Sequence, residues 1–491
     1  MIRVAERKER KEWQAVATAS NGGNGGNCGT QWRFSWIVLA QVVLAFLVGG
    51  AAFGIWVGFA VDEAHNSIKG GSLVSEDPTA VTLADYPDRE CPFPEKGVAG
   101  AIEAVGVPGT ALYVSNCHRI HRLYGIDNAT VQSTPVPSNL ATVAREHHAN
   151  ANATSPKLKF ATYHAASNTL YVSFLRSGLP GGCVSVLVAA CEFDGAFADL
   201  ADEQAPHAEC WALYDAQPAD YACGSMNMHA VGLQVLATEA HLFLTTGDLL
   251  QQPSRAQDDG AFWGKIWRAT LPGQMGHPND RQALARSDWV AVSKGHRNPQ
   301  GLCAGGAAHA QPQFLLETEH GPAGGDELNV ISLSSVGSVG NNINDIPNHG
   351  WPVRSYGTHY DGRLIPDQHA PEYVEPIAFW PYNLVGSHGV GECLSMPGFY
   401  VVASLNGHKL YTLVLDANRK VSHLHAEEMG ARLRSLAPLG DCHVLILTEP
   451  NKGLQGPLVR KNICGRGRFY GDPRYMAHAW RVPDAASLMH A

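Results

Sequence analysis

Phe314-Leu315-Leu316-Glu317-Thr318-Glu319-His320-Gly321-Pro322-Ala323-Gly324-Gly325-Asp326-Glu327-Leu328-Asn329 reads as a strand, a tight loop and a second strand. The apolar run Phe314–Leu316 ends in acidic residues, and a second run, Leu328–Leu333, follows the acidic pair Asp326-Glu327. Gly-Pro and Gly-Gly permit turns that bulky side chains forbid. Two carboxylates beside freed backbone carbonyls are the oxygen donors that a hard cation such as Ca2+ prefers. The competing reading is an ordinary solvated hairpin tip.

Similar apolar runs recur through the chain. They are Ala111–Ser115, Thr169–Ser173, His241–Thr245, Gln313–Glu317, Phe399–Ala403 and His443–Leu447, about 45–85 residues apart. A further strand follows closely at Val184–Val188, Lys265–Arg268, Leu328–Leu333 and Lys409–Leu415. Helical periodicity is nearly absent beyond residue 61, and Gly/Pro turns separate the runs, so the class is all-β. Six units of this size predict a six-bladed β-propeller. A sandwich or a two-domain β protein is the alternative.

The N-terminal region is organised differently. Phe34–Val61 carries no charge and is long enough to cross a bilayer. The residues before it hold six basic and three acidic side chains, a formal +3 against −9 for the whole chain, so the rest carries −12. Basic residues before the segment, with Asp62 and Glu63 after it, predict a signal anchor with a cytoplasmic N-terminus. The expected layout is a disordered basic tail (1–33), a transmembrane helix (34–61), a stalk (62–90), the propeller (91–465) and a C-terminal tail (466–491), with part of the last segment expected to close the ring. Gly50, Gly54 and Gly58 share one helix face, a seam through which two copies could pair. The acidic remainder argues against nucleic acid as a partner.

Ten cysteines lie beyond the apolar segment, an even number that suits an oxidising compartment and up to five disulfides. No CxxC pair is present, which argues against a zinc site. Asn128-Ala129-Thr130 and Asn152-Ala153-Thr154 are glycosylation acceptors if the compartment is eukaryotic.

Three blocks in order, Gly295-His296-Arg297-Asn298-Pro299-Gln300-Gly301-Leu302, the opening stretch, and Asn348-His349-Gly350-Trp351-Pro352, resemble the glucose/sorbosone dehydrogenase family. That resemblance implies a six-bladed propeller, the cofactor pyrroloquinoline quinone (PQQ), Ca2+ and a sugar substrate. It makes His229 the general base and Asp248 a residue that contacts or orients the substrate. It gives Arg297, Asn298, Arg432 and Arg434 to the quinone and the carbonyls of Gly321 and Pro322 to its Ca2+. Asp326 and Glu327 go with a second, structural Ca2+, and Trp351 and Pro352 with packing. Arg432 and Arg434, two apart on a strand, share a face. Two departures remove positive charge near a trianionic cofactor: Asn406 stands where the family has a lysine, and Leu233 where it has an arginine. The expected activity is oxidation of an aldose or related polyol outside the cytoplasm, with an electron acceptor the sequence does not name. The alternative is a non-catalytic binding module that resembles the Hedgehog-interacting proteins, although no EGF-like cysteine cluster follows the propeller.

Overall fold

Each of the six recurring apolar runs forms the second strand of a four-stranded antiparallel sheet. This computed structural model describes residues 80–83, 91, 100–128, 131–146, 156–201, 203–224, 231–250, 252–271, 281–306, 312–333, 346–367, 369–381, 387–449 and 458–463. The first sheet holds β2 (Gly100–Ala104), β3 (Ala111–Ser115), β4 (Ile120–Tyr124) and β5 (Gln132–Val136). After the helix α1 (Leu140–Glu146), the second holds β6 (Lys157–His164), β7 (Thr169–Leu179), β8 (Cys183–Phe193) and β9 (Ala208–Asp215). The third holds β10 (Gly232–Ala237), β11 (His241–Thr246), β12 (Lys265–Thr270) and β13 (Val290–Lys294). The fourth holds β14 (Pro299–Gly305), β15 (Phe314–Glu319), β16 (Asp326–Ser332) and β17 (Ala378–Trp380). The fifth holds β18 (Val390–Met396), β19 (Phe399–Ser404), β20 (Lys409–Leu415) and β21 (Val421–Glu428).

The sixth sheet joins the two ends of the propeller. It takes β22 (Arg432–Leu439), β23 (His443–Glu449) and β24 (Leu458–Asn462), and its outermost strand is β1 (Ala80–Leu83), antiparallel to β24. The expected stalk over 62–90 is corrected by this pairing, because four of its residues complete a blade. The ring is closed by β1 and β24; residues 464–491 lie outside the described ones.

The first strands β2, β6, β10, β14, β18 and β22 touch neighbour to neighbour in a closed circle. Between each pair of adjacent sheets sits an apolar cluster, such as Phe243, Ile266 and Val292 of the third against Leu302, Leu315 and Ile331 of the fourth. Another is formed by Ile102, Tyr113 and Leu123 of the first against Ala437, Leu445 and Leu447 of the sixth. Such a sheet is covered on both faces, so its middle strands read as continuous apolar runs and not as alternations. This packing rules out a two-sheet sandwich.

Disulfides link Cys91–Cys117, Cys183–Cys223, Cys191–Cys210 and Cys303–Cys393. Cys442 is also disulfide-bonded, to a residue outside the described ones. Cys303 and Cys393 tie β14 to β18, the first strands of neighbouring sheets. Among the described residues no helix is long and apolar enough to cross a membrane. The apolar segment 34–61, the tails, the sequon at Asn152 and His229 all lie outside them.

Candidate active site

The Gly321–Gly325 loop between β15 and β16 is closed by small residues packed against a second backbone. A Cβ on Gly321 would sit 2.2 Å from the Gly324 carbonyl oxygen. One on Gly325, whose φ is +68°, would sit 2.1 Å from the Gly357 nitrogen. Ala323 pairs with Thr358 in a two-way backbone bridge, N to O at 3.0 Å and 3.2 Å. Among the described residues no backbone N–H donates to the carbonyl of Gly321 or Pro322.

Asp326 and Glu327 are neighbours on a strand and therefore point to opposite faces. The fully buried Asp326 carboxylate accepts from Gly321 N (2.9 Å), Val390 N (3.2 Å), Gly389 N and Ser387 Oγ. Those four donors use up its acceptor sites. Asp326 therefore staples its own loop to the segment leading into β18. Asp326 and Glu327, associated by the resemblance with a second, structural Ca2+, present their carboxylates to opposite faces of the strand. Glu327 turns to the other face, toward Glu319 across the hairpin, Asn329 and His369.

The loop before β14 carries Arg297 and Asn298, both nearly inaccessible to solvent. Glu319 Oε2 accepts from Arg297 N at 2.7 Å and fixes the loop backbone. The Arg297 guanidinium donates to the His320 carbonyl (2.6 Å) and to Tyr360 Oη (2.8 Å), and stands over the Trp351 ring at 5.6 Å. Asn298 Oδ1 accepts from Gly232 N (3.1 Å) and Gln300 Nε2 (2.7 Å), and its Nδ2 lies 3.2 Å from His320 Nδ1.

Asp248 is fully buried and holds this loop from behind. Its backbone N donates to the Arg297 carbonyl at 2.7 Å. Its Oδ1 accepts from Leu250 N and its Oδ2 from the Trp351 indole, both at 2.7 Å. Trp351, expected as packing, is thus a hydrogen-bonding strut. With both oxygens engaged and no exposure, Asp248 orients its neighbours. Burial pushes its carboxyl up to about 6, against the lowering pull of Arg297. A folded-state value above the unfolded one of about 3.9 means that the native state holds the extra proton between those limits. Stability of the cofactor-free protein should therefore fall by about 2–3 kcal/mol as pH climbs from about 4 to 6. Asp248→Asn should flatten that part of the curve in urea titrations; an unchanged slope would count against the assignment.

Arg432 and Arg434 come from β22, whose register shifts between Leu433 and Ser435, and both approach Glu449. Arg432 Nε donates to Glu449 Oε2 at 3.1 Å, and Arg434 Nε lies 3.9 Å from Glu449 Oε1. Arg434 is buried with its guanidinium over Phe160 at 4.9 Å. Burial drives the His320 imidazole down to about 3, and the charges of Arg297, Arg434 and Arg432, in that order, push the same way. Positive groups from the third-to-fourth-sheet loop and from the sixth sheet thus act on one neutral imidazole. The buried Arg297 Nε and Arg434 Nε have no hydrogen-bond partner among the described residues.

The first strands add charged groups that no local pattern announces. Gln234 of β10 reaches Glu392 of β18 across the ring (3.5 Å), and Glu392 Oε2 accepts from Leu436 N at 2.6 Å. Burial lifts Glu392 to about 7 and lowers Lys159 of β6 to about 7, the latter helped by Arg434. The two departures have different surroundings. Leu233 is buried in the apolar cluster between the second and third sheets. Asn406 is exposed on a turn, its Nδ2 donating to the Ser387 carbonyl. His229 lies outside the described residues, but both flanks are held: Cys223 by its disulfide, Val231 by accepting from Gly247 N at 2.8 Å.

Comparison with known proteins agrees with this architecture. The model of the Glucose / Sorbosone dehydrogenase family matches residues 157–460. The aldose sugar dehydrogenase YliI of Escherichia coli K12 is 31% identical over 248 residues, covering 47% of this chain and 59% of that protein. Quinoprotein glucose dehydrogenase B of Acinetobacter calcoaceticus is 28% identical over 156 residues, 28% of this chain and 29% of that one. The matches thus span 59% or less of these curated relatives. A solved oxidoreductase (glucose dehydrogenase) of Thermus thermophilus superposes with a TM-score of 0.50 at 21% identity, over 78% of this chain and 98% of that one, a likeness of fold. With its six blades and a family match running from β6 to β24, the chain belongs to the glucose/sorbosone dehydrogenase family.

Proposed function

We propose that this protein is a membrane-anchored, extracytoplasmic quinoprotein dehydrogenase that oxidises an aldose or related polyol, with His229 as general base. The observation that carries the reading is that the buried Arg297 Nε and Arg434 Nε have no hydrogen-bond partner among the described residues. Buried donors without acceptors are costly, and a polycarboxylate would supply the acceptors they lack. PQQ fits that requirement, with Arg297, Asn298, Arg432 and Arg434 to hold it and the undonated carbonyls of Gly321 and Pro322 to hold Ca2+ beside it. When bound, PQQ with Ca2+ would accept the hydride from the sugar carbon.

The remaining work falls to the chain. His229 takes the hydroxyl proton as that carbon becomes a carbonyl, leaving the imidazole protonated until it releases the proton to water. Asp248, through Trp351 and the Arg297 carbonyl, keeps the arginine loop in register. Asp326, accepting from Gly321 N and Val390 N, ties the Gly321–Gly325 loop to the segment leading into β18. The charge-free segment 34–61 and the disulfide-bonded cysteines support the extracytoplasmic address.

The test is direct. The purified full chain is given PQQ and Ca2+, and dye reduction is followed with a panel of aldoses. Sugar-dependent reduction and a rise in melting temperature with PQQ are expected. A flat trace across the panel with no thermal shift would remove the proposal and leave a binding module.

A further inference from the structure

The face of the β15–β16 hairpin opposite Asp326 carries a group that the sugar chemistry leaves unused. Its register sets Glu317 opposite Asn329 and Glu319 opposite Glu327. Alternation puts all four on one face, so three carboxylates and one amide stand together. All four are buried, Glu317 and Asn329 fully. Like charges directly opposite on paired strands destabilise a sheet, and more so without water.

The protein supplies little to balance them. Asn329 Nδ2 has two hydrogens and faces three carboxylates: Glu317 Oε2 at 3.0 Å, Glu319 Oε1 at 3.3 Å and Glu327 Oε2 at 3.4 Å. Among the described residues no lysine or arginine forms an ion pair with any of them; their charged partners are imidazoles. His296 Nδ1 lies 3.4 Å from Glu319 Oε1 and 3.9 Å from Glu317 Oε2, while its Nε2 is engaged with Ser293 Oγ at 2.8 Å. His349 stacks on His296 at 4.7 Å.

Several polar atoms on and around these groups have no hydrogen-bond partner among the described residues. They are Glu317 Oε1, Asn329 Oδ1, both ring nitrogens of His349 and Nε2 of His369. Orphans of this kind, all on buried residues, indicate a missing ligand.

We propose that a divalent transition-metal cation, of the Mn2+ or Zn2+ type, is bound between Glu317, Glu319 and His296. One donor atom from each lies within 4.8 Å of the others. A cation about 2.0–2.2 Å from each donor needs donors about 3–4 Å apart, close to the present spacing. An imidazole nitrogen among the ligands selects against Ca2+, which takes six to eight oxygens, and for a first-row metal. His349 stands beside His296 as a further donor. The site shares no ligand with the Gly321 and Pro322 carbonyls proposed for Ca2+; Glu319 also holds the Arg297 loop through its other oxygen, so metal retention is read without quinone or sugar. Its structural consequence is to lock β15, β16 and the loop of Arg297 together from behind.

The full chain, stripped with chelator, is equilibrated separately with Mn2+, Zn2+ or Ca2+, passed through gel filtration, and analysed for retained metal and melting temperature. The wild type should retain a single Mn2+ or Zn2+ per chain and melt higher with it. Glu317→Gln, which keeps the side-chain volume, should lose that ion and the thermal gain while its circular dichroism is unchanged. Retention of no metal by the wild type, of Ca2+ alone, or of equal metal by Glu317→Gln would overturn the site. If Glu317→Gln does not fold, X-ray absorption of the loaded wild type decides. A shell of imidazole nitrogen with carboxylate oxygen supports the site, and an all-oxygen shell overturns it.

Discussion

His229→Ala is expected to lower kcat for sugar oxidation by roughly 10²–10⁴-fold, the usual contribution of a positioned general base. PQQ affinity should stay close to that of the wild type, because the groups assigned to the cofactor are arginines and carbonyls from other elements. The flanks of this histidine support the expectation. Gly232 N donates to Asn298 Oδ1, and Val231 accepts from Gly247 N, so the chain leaving the histidine is tied to the arginine loop and to Asp248's own turn. Dye-linked turnover and calorimetric titration with PQQ separate the two quantities. If turnover survives, another group takes the proton. If affinity collapses together with turnover, the residue binds the cofactor.

The second large effect concerns the arginines. Arg434→Met should raise the PQQ dissociation constant by about 10–100-fold, since a charge-assisted contact is worth about 1.5–3 kcal/mol. Arg297→Met should do the same. Arg432→Met should cost less, because this side chain is only half-buried and already paired with Glu449. Arg432 and Arg434 share that carboxylate, so their double variant should fall short of the sum of its parts. Arg434→Lys keeps the charge but loses the planar fork over Phe160, and should recover only part of the affinity. Unchanged affinity in Arg297→Met and Arg434→Met, with both proteins folded, would end the cofactor assignment.

The six apolar runs were legible because each is a second strand, covered on both faces and therefore unbroken by polar residues. First strands escaped the pattern for the opposite reason. They bring Lys159, Gln234 and Glu392 near Arg434 from three other blades, and neither Gln234 nor Glu392 has a like residue two positions away to mark it. The deciding hairpin was read correctly as strand, loop and strand. Its acidic pair was read as a unit, although alternation along β16 alone sends Asp326 and Glu327 to opposite faces. The same count places Glu317, Glu319, Glu327 and Asn329 together, a signal present in the sequence and passed over. His320 carries no signal of its own, because two of the three arginines around it lie over a hundred positions away and its neutrality is a product of ring closure.

Ring closure also decides how the propeller can be released. Ala80–Leu83 lies on the outer edge of the sixth sheet, where among the described residues its strand partner is β24. A proteolytic cut ahead of Ala80 would free a toroid with all its strands. A cut between Leu83 and Cys91 would leave the latch behind and expose the edge of β24 as a template for another chain, whereas a cut after Cys91 would keep the latch tethered through the Cys91–Cys117 disulfide. Secreted forms of this protein, natural or engineered, should therefore begin before residue 80.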